Sequence, residues 1–169
     1  MTIRQETPSD YEEVYEMVKT SFATTDYSDG TEQDYLNGIR TKNTFIPSLS
    51  LVAEINGKIV GQIVLYEIEI ECENGNETHL LLSPLSVHTD YFKQGIGTKL
   101  IKESCSRAAA LGYKAVFLCG SPAYYERFGF VPTYEHEIYH TKDKTAKWCM
   151  VKELEKGCIK ETKGLIDIE

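Results

Sequence analysis

The run Leu80-Leu-Leu-Ser-Pro-Leu-Ser-Val87 constrains this chain more than any other stretch. Its apolar character is nearly continuous, so a strand here needs cover on both faces. It leads through His88-Thr-Asp-Tyr-Phe-Lys93 into Gln94-Gly95-Ile96-Gly97-Thr98. Ile96, Leu100, Ile101, Cys105, Ala108 and Leu111 then follow helical spacing, and Gly112 can end that helix in the left-handed conformation. Lys114 to Leu118 is the next strand. A right-handed crossover through the helix sets it parallel to the first. An apolar strand, a glycine turn, a helix and a parallel strand together specify a mixed α/β domain.

The flanking segments fit that frame. Thr2 to Glu6 reads as a strand, and Thr7-Pro8-Ser9-Asp10 supplies an N-cap, a proline at the first helical position and an acid in the first turn. The helix runs to about Ser21 with Val14, Met17 and Val18 inward. Residues 24–30 read as a polar loop, and Glu32 to Arg40 as a second helix. Leu49 to Ile55 and Lys58 to Glu69 are strands joined by Asn56-Gly57, a dipeptide suited to the positive φ of a type I′ turn. Glu73-Asn-Gly-Asn-Glu77 is a second polar turn before a strand from His79 to Val87. After Leu118, Ser121 caps a short helix with Pro122 at its first position, and Gly129 closes it. Glu135 to His140, Trp148 to Leu154 and Gly164 to Ile168 read as strands.

Bulk properties narrow the function. The 169 residues suit one domain spanning 1–169, with a sizeable core. A net charge of -8 disfavours nucleic acid as a partner and mildly favours a cationic small substrate. No apolar run reaches membrane-span length, and the N-terminus lacks the features of a signal peptide. Cys72, Cys105, Cys119, Cys149 and Cys158 are scattered and odd in number, which reads as reduced thiols in the cytoplasm. Cys119 ends a strand near the proposed site and reads as a small buried apolar residue.

The glycine turn carries the chemistry. Backbone N–H groups between a strand and a helix can converge on one anion, and the helix N-terminus adds about half a positive charge. Gly95 and Gly97 let the backbone approach closely. The spacing fits neither a P-loop, which needs Gly-x-x-x-x-Gly-Lys-Ser/Thr, nor a Rossmann fingerprint, since Leu100 stands where a third glycine or alanine belongs. The tyrosine-bearing turn Gly120-Ser-Pro-Ala-Tyr-Tyr-Glu-Arg-Phe-Gly-Phe130 can present a phenol beside a nucleotide-linked group.

At these two motifs the chain resembles the GNAT superfamily of acyl-CoA-dependent N-acetyltransferases. Gly95-Ile96-Gly97 matches the glycine half of the family's Gln/Arg-x-x-Gly-x-Gly/Ala signature, with Phe92 where Gln or Arg is usual. The Tyr-Tyr-Glu-Arg-Phe-Gly-Phe run matches Phe-Tyr-x-x-x-Gly-Phe. The likeness is strongest to a bacterial branch with a Gly-x-Pro-x-Tyr-Tyr-x-Arg-Phe-Gly-Phe-x-Pro segment. It extends through Ser48 to Glu54 and Met150 to Leu154.

The resemblance implies a GNAT-like fold: a central mixed, mostly antiparallel sheet, a parallel splay between the fourth and fifth strands, and helices on both faces. It implies acetyl-CoA as co-substrate, with no metal, and an amine-bearing acceptor attacking the thioester directly. The pantetheine arm pairs with the backbone of Leu85, Ser86 and Val87, where Pro84 marks a break in the ladder. The pyrophosphate sits on the N–H groups of Lys93, Gln94, Gly95, Ile96, Gly97 and Thr98. Tyr125 matches the tyrosine that protonates the departing thiolate, and Tyr124 reads as packing. Glu67, Glu69 and His79 are candidates for a base, with none assigned. Asp26, Asp29, Glu32 and Asp34 either attract an amine or keep a loop soluble. The C-terminal strands offer a pairing surface for a homodimer.

Two other readings stay open. An acyl-CoA-binding module without turnover is one. The other is a zinc hydrolase built on His136-Glu137-Ile138-Tyr139-His140, which spells His-Glu-x-x-His. That motif works only on a helix, where residues four apart share a face. A strand would hold the two histidines about 13 Å apart.

Overall fold

The structure, a computed structural model, describes residues 1–23 and 28–169. The chain forms β1 (Thr2–Gln5), α1 (Tyr11–Phe22), α2 (Glu32–Arg40), β2 (Phe45–Ile55), β3 (Lys58–Cys72), β4 (Gly75–Val87) and α3 (Ile96–Ala110). It continues with β5 (Ala115–Cys119), α4 (Pro122–Tyr125), β6 (Val131–Pro132), β7 (Ile138–His140), β8 (Cys149–Glu153) and β9 (Gly164–Ile166). The strands hydrogen-bond in the order β1-β2-β3-β4-β5-β8-β6, and β9 pairs with both β3 and β7. The pairings β1/β2, β2/β3, β5/β8 and β6/β8 are antiparallel, and β4/β5 is parallel at Leu80–Val116 and Leu81–Phe117. This is the mixed, mostly antiparallel sheet expected. The residues group into two compact units, one of Met1–Tyr66 with Ser83–Arg107, the other of Glu67–Leu82 with Ala108–Glu169.

In the first unit, the Thr7-Pro8 start works as the residues require. The Thr7 N–H donates to Asp10 Oδ2 (2.8 Å), and Arg4 holds both Asp10 oxygens (2.8 Å each). The hydrogen bond from Arg4 is the main reason the Asp10 carboxyl lies well below the usual carboxylate range. Val14, Met17 and Val18 are buried as their spacing predicts, and so are Leu36 and Ile39 of α2. Arg40 at the end of α2 forms a buried ion pair with Glu6, and Ser50 Oγ donates to Glu6 Oε2 (2.7 Å). The Asn56-Gly57 turn has the positive φ values, 52° and 77°, that a type I′ hairpin needs.

Gly61 and Tyr66 fall on opposite faces of β3 by its period of two. Tyr66 exchanges a hydroxyl hydrogen bond with Tyr35 of α2, while Gly61 faces α3. A Cβ at 61 would lie 2.8 Å from Ile96 Cγ2 and 3.0 Å from Leu100 Cδ1. The helices of this unit thus cover both faces of its strands, and α3 sits closer to β3 than any side chain at 61 would permit.

In the second unit, β5 pairs with β8 from Ala115–Glu153 to Cys119–Cys149. Several strands differ from their sequence-based bounds. β3 continues to Cys72 and β4 begins at Gly75, so the polar stretch after Glu69 is mostly hairpin rather than turn. Glu71 and residues 73–76 are exposed, and Asn76 Nδ2 donates to Glu69 Oε2 (2.6 Å), so beyond the buried Ile70 and half-buried Cys72 little apolar pattern marks the hairpin. The expected strand from Glu135 is instead a 3-10 turn over Thr133–His136, a left-handed Glu137 (φ 59°), and β7.

Gly61→Ala is expected to destabilise the protein by about 1–3 kcal/mol through overpacking against Ile96 and Leu100. Urea denaturation checks it: an unchanged midpoint would show that α3 moves off the strand freely.

Candidate active site

The glycine turn is built in the first unit. Lys93 and Gly95 both take left-handed backbone conformations, φ 61° and 77°. A Cβ at Gly95 would meet open space, so glycine is required there by φ and not by room. Lys99 N–H donates to Gly95 O (3.1 Å), which makes Gly95 the residue that caps α3. The N–H groups of Ile96, Gly97 and Thr98 therefore belong to the first turn and have no acceptor within the helix. Together with the helix dipole they form a compact electropositive patch. The approach is braced by His88 Nδ1, which accepts from Asp90 N (3.2 Å), and by Gln94 Nε2, which donates to Asp90 O (3.3 Å). Phe92, where a polar residue is usual, is 47% exposed.

The end of β4 lies in the same unit. Leu85 and Val87 are half-buried and Ser86 is buried. The Ser86 hydroxyl has no hydrogen-bond partner, and neither does the side-chain amide of the fully buried Gln62. His88 N–H donates to Val60 O (2.9 Å), and that antiparallel register sets Ser86 beside Gln62 on the neighbouring strand. Gln62 carries no sequence signal beyond a polar residue in an apolar strand.

Tyr125 belongs to the second unit. The turn starts at Gly120, whose N–H donates to Trp148 O (2.8 Å). The Tyr124 and Tyr125 N–H groups both donate to Ser121 O (3.0 and 3.1 Å), and Gly129 closes the turn at φ 84°. A Cβ at Gly120 would lie 2.4 Å from Tyr125 Cε2, so the phenol ring rests directly on glycine backbone. Its edge contacts are Tyr124 (4.9 Å between ring centroids) and Phe130 (5.8 Å). Among the described residues none hydrogen-bonds its hydroxyl, and burial first, then Tyr124, raises its pKa above the usual tyrosine value. The result is a neutral phenol with an uncommitted proton. Nearby Cys119 is pushed up to about 12 by burial, so it is an unreactive thiol at neutral pH.

The three base candidates stand elsewhere. Glu67 accepts from Tyr113 Oη (2.5 Å), Glu69 from Asn76, and His79 Nε2 lies 3.2 Å from Glu77. Tyr113 precedes β5 and Tyr125 follows it, so Glu67 and Tyr125 are at opposite ends of that strand. Of the loop acids, Asp29 caps Thr31, Glu32 accepts from Ser28 and Asp34 accepts from Tyr15. Asp26 lies outside the described residues.

The His-Glu-x-x-His stretch does not form the helix that a zinc site needs. His136 ends a 3-10 turn, Glu137 reverses the chain, and His140 is a buried strand residue. Its Nδ1 accepts from Lys142 N (3.1 Å), so its Nε2–H donates to Ile168 O (2.8 Å), and the ring packs on Trp148.

A mixed sheet with β4 and β5 parallel across α3, and a left-handed glycine turn capping that helix, define the class as an acetyltransferase fold. Residues 2–133 match the Acetyltransferase (GNAT) domain, and the chain belongs to that family. It is 26% identical over 168 residues to the uncharacterized N-acetyltransferase YhbS of Escherichia coli K12, covering 99% of this chain and 95% of that protein. A shorter match, 32% over 101 residues, is to the uncharacterized N-acetyltransferase YjhQ of the same strain; it spans 60% of this chain and 56% of that protein's length. The crystal structure of YhbS from Escherichia coli in complex with CoA superposes with a TM-score of 0.85 over 99% of this chain and 89% of that one, at 24% identity. A GNAT family acetyltransferase from Brucella melitensis in complex with acetyl-CoA gives a TM-score of 0.70 at 32% identity, covering 76% of this chain and 81% of that one.

The Tyr125 phenol is expected to ionise only above the ordinary tyrosine range, near 10. Ring-carbon NMR across an alkaline titration checks it, and a Tyr125 signal that titrates with the exposed tyrosines would show the ring to be solvated. Tyr113, pushed up to about 12 by burial and by Glu67, gives a stability test. Its folded pKa is raised, so its contribution is present below pH ~10 and lost as pH rises toward about 12. Tyr113→Phe should flatten the fall in urea midpoint across that window.

Proposed function

We propose that this protein is a cytoplasmic, acetyl-CoA-dependent N-acetyltransferase, acting as one domain over residues 1–169, that acetylates a primary amine. The observation that carries the reading is the turn at Lys93 to Thr98: two left-handed residues and a capped helix start within a GNAT family chain. The residues present fit a CoA thioester. The N–H groups from Lys93 through Thr98 suit a pyrophosphate, because backbone amides bind an anion whatever side chain stands at Phe92. Leu85, Ser86 and Val87 suit an amide-bearing arm, and the unpartnered Ser86 hydroxyl beside Gln62 is polar capacity in want of a ligand or water.

When bound, acetyl-CoA supplies an acetyl group activated as a thioester, open to direct attack by an amine. The chain's own part is to orient and to move protons. Tyr125 holds a proton at neutral pH, its ring lies against Gly120, and in this reading it gives that proton to the leaving thiolate. The ring's immobility matters as much as its acidity, since a phenol free to rotate would lose alignment. Glu67 and His79 lie at the other end of β5 from Tyr125, so the amine's proton leaves to water or to the amine's own equilibrium rather than to either of them.

Titration calorimetry with acetyl-CoA, CoA and 3′-dephospho-CoA tests the cofactor, with all three expected to bind in the micromolar range. If none binds, the reading fails. Binding without turnover on a broad amine panel would instead make the protein a non-catalytic acyl-CoA module. On a productive amine, Tyr125→Phe is expected to lower kcat by about 10²-fold or more while leaving KM for acetyl-CoA nearly unchanged.

A further inference from the structure

The chain has a single tryptophan, Trp148, and it is 38% exposed. It lies outside residues 2–133, so the family pattern does not account for it. Its place follows from the register of β5 and β8. Cys119 pairs with Cys149, and the Gly120 N–H donates to Trp148 O (2.8 Å), so Gly120 and Trp148 stand opposite each other just beyond those strands. Opposed residues of an antiparallel pair carry their side chains on one face, about 5 Å apart. At Gly120 that face is taken by the Tyr125 ring, since a Cβ there would lie 2.4 Å from Tyr125 Cε2. Leu118 Cδ1, two residues back on the same face, would lie 3.2 Å from it. Trp148 therefore rises one strand spacing from the residue against which the proposed acid rests. Leu118 and Met150, paired and fully buried, continue the face inward as an apolar floor.

The indole is fixed in place. His140 packs on it edge to face, with 4.6 Å between ring centroids. Both nitrogens of that imidazole are committed, to Lys142 N and Ile168 O, so it is a rigid wall on one side of the indole. The loop leading to Trp148 is braced by Thr145 N–H to Asp143 Oδ1 (2.9 Å) and Ala146 N–H to Asp143 O (3.2 Å). Lys142, Asp143, Lys144 and Lys147 share that loop, while Asp167 accepts from Thr141 and Glu169 pairs with Lys142. These three lysines and three carboxylates cancel, so what the indole offers a ligand is flat apolar area rather than a field.

We propose that Trp148 is the acceptor-side platform of the acetyl-transfer site, holding the aromatic body of an arylalkylamine while its amine end reaches past Gly120 toward Tyr125. The inference rests on the acetyltransferase reading and adds the class of amine. A ring laid on an indole gains both apolar burial and favourable ring–ring geometry, whereas a compact hydrophilic amine has nothing to lay there. An ethylene stem sets a phenyl ring and its amine about 5 Å apart, which matches the one strand spacing between Trp148 and Gly120.

The test uses the full chain, whose lone tryptophan makes the emission a report on position 148 alone. It is titrated with 2-phenylethylamine, 2-phenylethanol and ethanolamine. The two ring compounds are expected to change the emission saturably, and ethanolamine, which has the amine without the ring, to leave it unchanged. With saturating acetyl-CoA, Trp148→Ala should raise KM for 2-phenylethylamine about tenfold while kcat and the KM for acetyl-CoA stay within about twofold. Trp148→Phe, which keeps a ring, should hold that KM within about threefold. Should Trp148→Ala unfold, Trp148→Leu is the ring-free variant and should show the same rise. An emission that ethanolamine moves equally, no acetylation of 2-phenylethylamine, or an unchanged KM in the ring-free variant overturns the proposal. Calorimetry with acetyl-CoA separates the two readings. Acetyl-CoA binding with a tryptophan silent to both ring compounds overturns the platform and spares the acetyltransferase reading. A ring response without acetyl-CoA binding overturns that reading and the acceptor role with it.

Discussion

The contact between Gly61 and α3 governs the first unit. Ile96 and Leu100 occupy the space where a Cβ at position 61 would stand, at 2.8 and 3.0 Å. Ile96 is also the first residue of α3, so the same contact that packs the helix on β3 fixes where its N-terminal amides point. Packing and the direction of those amides are thus one problem there. A bulkier residue at 61 would lift the helix start and carry the Gly95 cap with it. The left-handed conformations at Lys93 and Gly95 then have a physical role, since they turn the chain from the end of β4 onto a helix axis whose position is already set.

The second unit uses glycine in the same manner for a different group. Gly120 lets the Tyr125 ring lie on the backbone at a distance no other residue allows. Tyr124 and Phe130 close on its edges, so the phenol is held by shape and its hydroxyl stays uncommitted. Burial that fixes the ring also raises its pKa, which retains the proton a leaving group would need. One arrangement therefore supplies orientation and protonation state together.

Charge in this acidic chain is mostly spent on structure. Asp10 is paired with Arg4, Glu6 with Arg40, and Asp29, Glu32 and Asp34 accept from neighbours around the start of α2. Breaking the buried Arg40–Glu6 pair from one side would leave an uncompensated charge beside Ser50, a larger loss than an exposed pair could cause.

Local rules accounted for whatever depends on neighbours in the chain. The helix starting after Thr7-Pro8, the Asn56-Gly57 hairpin, the buried faces of α1 and α2, and the glycine turn before α3 all follow from spacing, capping and positive φ. The parallel pairing of β4 and β5 follows from the handedness of a strand-helix-strand crossover. Other features rest on residues far apart in sequence. The strands extend to Cys72 and from Gly75, on either side of a Glu73-Asn74 turn, because β3 pairs with both β4 and β9, a gain that the local sequence does not record. Gly61 and Gly120 are unremarkable in sequence until Ile96 and the Tyr125 ring arrive against them. The His-Glu-x-x-His string does not form a helix, because Glu137 is left-handed and His140 is drawn into hydrogen bonds with Lys142 and Ile168. Residue type and spacing dictate where the chain can bend and which face it buries. Only tertiary packing decides which buried polar groups find a partner, because the partner comes from another element.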